Sequence, residues 1–270
     1  MTFQAKYPPD RIDASHAGQS DLVPILRRAQ SRGGTRSINA QVARALGIAI
    51  VSGMIVADQK LPAEPELLEQ YHISRTVLRE ALKILGAKGL IASRTNVGTW
   101  VLDRSHWQLF DADVLDWHAE HGIDPALLAD IFEFRLAIEP AGAALVALRA
   151  TAQDRAVLGS AIATMRATIG DVRAFGEADL ALHRALGRIS GNMLMRGSAS
   201  VIETSLMAVY AAMGAGTASA TPLPGEHALR ASLALHEAIV EAIAEGDSLA
   251  AGEAMKRAVE FERDAVFAQR

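Results

Sequence analysis

Apolar residues at helical spacing run through most of the chain and divide it into a front region of short helices and a back region of long ones. Between residues 37 and 56, apolar residues recur every four positions and predict one buried helix face. These residues are Val42, Leu46, Ile50 and Met54. Pro65 marks a second, short helix, because proline fits the first helical turn, where its missing N–H costs nothing. Ser74 is a favourable N-cap for a third helix, whose apolar stripe extends to Leu85.

A β-hairpin pattern follows the third helix. Two short runs, 90–93 and 99–102, are joined by a turn that contains Gly98. Three helices and a hairpin predict a winged helix-turn-helix over residues 37–104. Residues 1–36 show no sustained period and predict a flexible arm.

Long helical segments dominate residues 125–270. Six are predicted, at about 125–149, 152–169, 171–189, 192–213, 226–245 and 247–267. The region is therefore expected to form an all-α six-helix bundle with its own core, which makes the protein mainly α. Residues 105–124 form a connector, whose rings Trp107 and Trp117 are expected to pack against a domain.

Composition narrows the class of protein. Half of the 270 residues are hydrophobic and 21% are charged, as in ordinary globular proteins. The chain contains no cysteine, which excludes disulfides, thiolate zinc sites and a cysteine nucleophile, and fits a reducing cytoplasm. The longest apolar run is too short to span a membrane, and the amino terminus has no signal-peptide core. We therefore expect a cytoplasmic protein.

Charge is divided unevenly along the chain. Residues 1–104 hold 14 Lys/Arg and 9 Asp/Glu, a net charge of +5, whereas residues 105–270 hold 13 and 22, a net charge of −9. A basic front region is suited to nucleic acid, although an ordinary fluctuation of surface charge explains the asymmetry equally well.

The position of Arg75 favours a DNA-binding role for the front region. It stands at the first position of the third helix, where the helix dipole disfavours a cation by about 0.3–1 kcal/mol. Contact with a phosphate or a base edge would offset that cost. In helix-turn-helix proteins this helix start enters the major groove, and arginine suits guanine.

The sequence LPAEPEL at 61–67, followed by SRTVLREAL at 74–82, resembles the DNA-binding signature of GntR-type bacterial transcription regulators. KGLI at 88–91 and VGT at 97–99 resemble the wing of that family. The resemblance implies that Ser74, Arg75, Thr76 and Arg79 meet double-stranded operator DNA, and that the wing tip, Asn96, Val97 and Gly98, approaches the minor groove. Many members carry an arginine where this chain has Pro65, so one DNA contact is expected to be missing.

The back region, residues 125–270, is similar to the ligand-sensing (FCD-type) domain of the FadR branch. The connector resembles that of sugar-acid regulators in this branch, such as galactonate-operon repressors. These resemblances imply a repressor controlled by a small carboxylate effector. We also expect a homodimer on a near-palindromic site, because one recognition helix reads too few base pairs to be selective.

Asp179 and His183 are four residues apart on one helix and therefore share a face. From spacing alone, a surface pair is the commoner explanation. The resemblance implies that Asp179, His183 and His236 are three of the four ligands of a divalent metal such as zinc. Ala258 stands where the fourth ligand is expected. Glu262, one turn further on, is not expected to compensate, and His227 is an outside candidate.

Two further residues are expected at the sensing pocket by resemblance. Arg135 would bind the effector carboxylate, with a salt bridge to Glu139 as an equal alternative. Asn192 matches a polar pocket position and could equally cap a helix. The rival function is a metal-dependent enzyme in which the Asp179, His183 and His236 site activates water. The sequence offers no identifiable general base, nucleophile elbow or P-loop for it.

Overall fold

The structure is a computed structural model, and it describes residues 37–94, 97–214 and 225–268. The predicted arm (residues 1–36) and the wing-tip residue Asn96 lie outside the described residues. The chain divides into two compact units, the first ending at Gln108 and the second beginning at Leu109.

The first unit is a winged helix-turn-helix, as predicted. Its elements are α1 (Ile38–Val51), α2 (Glu64–Tyr71), α3 (Arg75–Ala87), β1 (Ile91–Arg94) and β2 (Gly98–Val101). Leu46 of α1 and Leu78 and Leu85 of α3 are fully buried, so the two amphipathic faces meet. The predicted cap of α3 is also confirmed, because the Ser74 hydroxyl accepts a hydrogen bond from the Val77 N–H at 3.3 Å.

The wing is an antiparallel pair in which Ile91 lies opposite Val101. Residues 58–61, between α1 and α2, also bond to β2: the Leu61 N–H donates to the Thr99 carbonyl at 2.8 Å. Gly98 has φ +132°, and a Cβ there would lie 2.3 Å from Cε of Lys60. The start of β2 therefore requires a glycine.

The predicted connector is shared between the two units. Trp107 is buried in the first unit, and its Nε1–H donates to the Leu102 carbonyl at 3.0 Å. A helix that the sequence did not predict, α4 (Ala112–His121), follows in the second unit and begins at its cap, Asp111. Trp117 on this helix is 3% exposed, so the expected burial of both rings is confirmed.

The second unit is helical throughout its described residues. After α4 come α5 (Pro125–Arg149), α6 (Ala152–Ala167), α7 (Val172–Ile189), α8 (Met193–Gly197), α9 (Ala199–Gly214), α10 (Gly225–Glu245) and α11 (Ser248–Phe267). The predicted segment 192–213 is thus two helices. The break falls at Ser198, whose hydroxyl turns back to the Met195 carbonyl at 2.7 Å. Among the described helices, none is both long and apolar enough to cross a membrane.

Side-chain caps set where most of these helices begin. Each cap oxygen accepts backbone N–H groups of the first turn, which otherwise have no helical partner. The caps are Asp111, Asp124, Thr151, Asp171, Asn192 and Asp247. α5 runs along α11, and a Cβ at Gly252 of α11 would lie 3.3 Å from the Pro140 carbonyl oxygen. This close approach brings the buried polar faces of the two helices together.

Candidate functional site

The start of α3 presents the predicted DNA-binding residues to solvent. The Arg75 side chain is 75% exposed, and Thr76 and Arg79 are exposed on the same helix. The Arg75 Nε lies 3.6 Å from Glu64 Oε1, which partly offsets the unfavourable dipole at this helix end. Val97 of the wing is 54% exposed. The first unit therefore offers a cationic helix end and an exposed wing residue.

A buried cluster of four potential metal ligands lies inside the second unit. Asp179 and His183 of α7 meet His236 of α10 and Glu262 of α11, and one ligand atom from each lies within 4.8 Å of the others. All four side chains are buried. The convergence of the first three residues was predicted. The expectation that Glu262 would not take part is wrong. Glu262 lies on α11, one helical turn after Ala258, and its side chain faces the cluster. His227 is exposed and lies outside this cluster.

The spacing of the ligand atoms suits one small ion. Nε2 of His236 lies 3.0 Å from Asp179 Oδ1, Nε2 of His183 lies 3.5 Å from it, and the two Nε2 atoms are 3.4 Å apart. Glu262 Oε1 is 3.8 and 4.0 Å from the two Nε2 atoms. Tetrahedral ligands at about 2.0–2.1 Å from zinc lie about 3.4 Å from one another. The four atoms are therefore spaced as a slightly expanded set of metal ligands.

The outward-facing atoms of three ligands are each held by another group. His183 Nδ1 lies 2.5 Å from Glu139 Oε2, and His236 Nδ1 lies 2.8 Å from the Ser232 carbonyl oxygen. These acceptors assign the Nδ1 atoms as donors, so the Nε2 lone pairs face the cluster when the rings are neutral. The Tyr210 hydroxyl donates to Asp179 Oδ2 at 2.6 Å and leaves Oδ1 directed inward.

A glycine makes room for that tyrosine. A Cβ at Gly176 would lie 2.7 Å from Cδ2 of Tyr210. The absent side chain on α7 lets the ring pack against the helix one turn before Asp179. The orientation of this carboxylate therefore depends on a residue that makes no polar contact itself.

Arg135 of α5 is fully buried beside the cluster. Its Nε lies 2.5 Å from Glu139 Oε1, and its Nη1 lies 2.7 Å from Glu262 Oε2 and donates to Ser205 Oγ at 3.1 Å. The salt bridge to Glu139 is confirmed and extends to Glu262, whereas effector contact stays a prediction. Within the described part of the chain, Arg135 Nη2 and both Glu262 oxygens make no well-aligned hydrogen bond. Charge contact rather than hydrogen-bond alignment thus joins Arg135 to Glu262.

Asn192 has the alternative role that the sequence left open. Its Oδ1 accepts the N–H groups of Leu194 and Met195 at 3.0 and 3.3 Å and caps α8. A pocket role for Asn192 stays a prediction.

Burial and the neighbouring opposite charges shift the pKa values of the cluster residues in opposite directions. Burial would lower the pKa of His236, but the Asp179 carboxylate raises it to about 9. The pKa of His183 is also raised, by Glu139 and Asp179, against the effect of burial. Burial would raise the pKa of Glu139, but Arg135 and His183 lower it to about 2. For Glu262, burial raises the pKa despite the opposing charge of Arg135.

The balance of charge is the clearest test of whether a metal fits. Three ionised carboxylates and one guanidinium leave a net charge of −2 when both imidazoles are neutral. A buried net charge of this size is costly. Two protons on His183 and His236, or one divalent cation between them, bring the charge to zero. The nitrogen and oxygen donors also suit zinc or a similar ion, so the residues present fit a divalent metal.

Comparisons with known proteins identify a family for each of the two units. Residues 38–101 match the family described as bacterial regulatory proteins, gntR family, and residues 130–261 match the FCD domain. The chain is similar to the galactonate operon transcriptional repressor of Escherichia coli (strain K12), with 35% identity over 209 residues, 77% of this chain and 88% of that protein. The Uxu operon transcriptional regulator of the same strain is 35% identical over 96 residues, 36% of this chain and 35% of that protein.

One solved structure supports the fold. It is that of Lar, which controls the expression of the Listeria monocytogenes agr system. The two chains are 17% identical and superpose with a TM-score of 0.58, over 88% of this chain and 100% of that one.

The buried ion cluster predicts a large effect of removing its guanidinium. Arg135→Met is expected to lower the free energy of unfolding by about 3–5 kcal/mol, because Glu139 and Glu262 would lose their buried counter-charge. Urea unfolding followed by circular dichroism measures the change. Arg166→Met is the control, because it removes an ion pair to Glu237 whose side chains are 61% and 37% exposed. This control should cost less than about 1 kcal/mol, and equal costs would contradict the assignment.

Proposed function

The chain belongs to the GntR family of bacterial regulatory proteins and carries an FCD domain, and we propose that it is a cytoplasmic repressor whose operator binding is controlled by a sugar acid or a similar small carboxylate. The families and relatives it matches are transcription regulators, so the metal-dependent enzyme alternative is set aside. The sugar-acid class is supported by the relatives named for galactonate and Uxu operons. The observation that carries the sensing role is the buried cluster of Asp179, His183, His236 and Glu262.

In this proposal the first unit reads the operator. The start of α3 enters the major groove, and the wing tip approaches the minor groove. The residues in contact with DNA are Ser74, Arg75, Thr76, Arg79, Asn96, Val97 and Gly98. The exposed guanidinium at the N-terminal end of α3 supports this arrangement, since a phosphate or base edge there would offset the dipole cost.

The second unit holds a divalent metal in this proposal. Asp179, His183 and His236 are its ligands, and Glu262 supplies the fourth donor in place of the expected ligand at Ala258. The bound ion supplies a Lewis-acidic centre that attracts an oxygen anion. The support is the convergence of the four ligand atoms and the charge balance, since one divalent ion would offset the two excess negative charges of the site.

Effector binding is transmitted through the helices that carry the cluster. Arg135, on α5, contacts Glu262, on α11, and is our candidate to sense the carboxylate, with Asn192 at the pocket edge. A shift of Glu262 changes the charge contact with α5 and therefore the packing of the two helices. The effector releases DNA to the extent that it binds one packing arrangement more tightly than the other.

Operator binding tests the regulatory proposal. Arg75→Ala and Arg79→Ala should each weaken binding to the promoter DNA beside the gene by about 1–3 kcal/mol, if each arginine reads a base edge. Fluorescence anisotropy at fixed salt measures this, with and without galactonate and related acids. Arg230→Ala, which removes an exposed arginine paired with Glu226 in the second unit, is the control. Unchanged binding by both α3 variants would contradict the DNA contacts, and failure of every acid to release DNA would contradict effector control.

We further propose that the protein is a homodimer. A two-fold axis would place two α3 helices on a near-palindromic operator and double the base pairs read. Sedimentation equilibrium at micromolar concentration should give twice the mass of the chain. A monomer, both free and on DNA, would contradict the proposal.

Metal binding should release protons. His236, with its pKa raised to about 9, is protonated near neutral pH without metal, and the pKa of His183 is also raised, so a cation must displace protons from the site. The affinity for Zn²⁺ should therefore rise at least about tenfold per pH unit from about pH 6 to 8. Calorimetry in buffers of different ionisation enthalpy should report between one and two protons released per ion.

Without metal, the free energy of unfolding is expected to fall as pH rises. The pKa of His236 is higher in the folded protein than the ordinary 6.5. Its protonation therefore contributes stability that is fully present below about pH 6.5 and is lost as pH rises through about 9. Zn²⁺ should remove much of this loss. His183→Ala should abolish the proton release, and a pH-independent metal affinity would contradict the site.

A further inference from the structure

A groove of about 520 Å³ lies on the second unit between α7, α8 and α9. Its charged lining consists of Arg184 and Arg188 of α7, Arg196 of α8, and His183, and among the described residues no carboxylate lines it. The rest is largely apolar. A Cβ at Gly187 would lie 3.7 Å from the Arg196 Cα, so α8 packs against α7 beside Arg188. The groove therefore presents only cationic and neutral side chains.

This local charge contrasts with the rest of the unit. Residues 109–270 hold 13 Lys/Arg and 22 Asp/Glu, a net charge of −9. Most described arginines there contact an acidic side chain or a carbonyl oxygen. Among the described residues of this unit, three arginines make no ion pair or hydrogen bond: Arg188, Arg196 and Arg257. Two of these three line the groove, although Arg188 exerts a longer-range effect on Asp154. A cationic recess in an acidic unit concentrates anions.

The groove reaches His183, at the edge of the buried cluster. An inner cavity of about 30 Å³ is lined by Glu139 and His183, and it shares His183, Gly187, Met195 and Ile202 with the groove. A cavity of that size holds about one water molecule. The carbon chain of a sugar acid does not fit there. An acid whose carboxylate is directed to the cluster must therefore lie with its body in the groove, towards Arg188 and Arg196.

We propose that the groove binds the second anionic group of an acid that carries one such group at each end, with Arg188 and Arg196 as the residues that select it. This inference rests on the proposed function, because it assumes that the first carboxylate is directed to the buried cluster. The second group is a carboxylate or a phosphate, since guanidinium groups bind both through paired N–H donors. The effector class is thus an aldaric acid or a phosphorylated sugar acid.

Paired acids test this selectivity on the full metal-loaded chain. Calorimetry compares galactonate with galactarate, which adds a carboxylate at the far end, and gluconate with 6-phosphogluconate, which adds a phosphate. At least one of the two acids with a second anionic group should bind about tenfold tighter than its partner, which carries only the carboxylate. The two pairs distinguish a carboxylate from a phosphate. Equal affinity within both pairs would overturn the inference.

The double variant Arg188→Gln/Arg196→Gln should lose that tenfold preference and keep the affinity for the monoanion within about twofold. Arg257→Gln is the matched control, because it removes the third exposed arginine of the second unit that makes no ion pair or hydrogen bond with the described residues. It should retain the preference. An unchanged preference in the double variant, with native thermal unfolding, would overturn the inference and leave the proposed function intact. Failure of the wild-type protein to bind any of the four acids would overturn both.

Discussion

The neutralisation of six buried ionisable side chains is the constraint on which the second unit depends. They come from four helices, and with all three carboxylates ionised and no metal bound, their charges cancel only when both imidazoles carry a proton. They are Arg135, Glu139, Asp179, His183, His236 and Glu262. Apolar side chains tolerate small shifts, because volume-conserving repacking costs little. A buried charge that loses its partner costs several kcal/mol. The cluster therefore fixes the relative positions of α5, α7, α10 and α11 more strictly than the surrounding apolar contacts do.

Much of this architecture was predictable because its causes are local. Helical periodicity located α5 at 125–149, and the structure has Pro125–Arg149. The four-residue spacing of Asp179 and His183 placed them on one face, since that relation follows from helix geometry. The break between α8 and α9 escaped prediction, because it depends on how Ser198 bonds to the backbone of the preceding turn.

Glu262 shows why part of the site could not be predicted. Its role depends on the rotation of α11 relative to α7 and α10, which sequence spacing within one helix does not specify. A signal was present, because Glu262 lies four residues after Ala258 and therefore on the same helix face. The two partners of Arg135 show the same difference. Glu139 is one helical turn away and was predicted, whereas Glu262 is distant in sequence and could be identified only from the tertiary structure.

The charge of the fourth potential metal ligand, Glu262, determines the net charge that the site would present to an effector. With a neutral donor at that place, a divalent ion and Asp179 would leave a net charge of +1, which an effector carboxylate would neutralise. Glu262 supplies that negative charge from within the chain, while Arg135 and Glu139 cancel each other. With a divalent ion bound, an incoming carboxylate would therefore bring excess negative charge to a centre that is already neutral. Cationic residues just outside the cluster can compensate for that excess, and Arg188 and Arg196 lie in the groove that adjoins it. The negative charge of Glu262 inside the cluster and the positive charge of the groove lining would thus be two parts of one electrostatic arrangement.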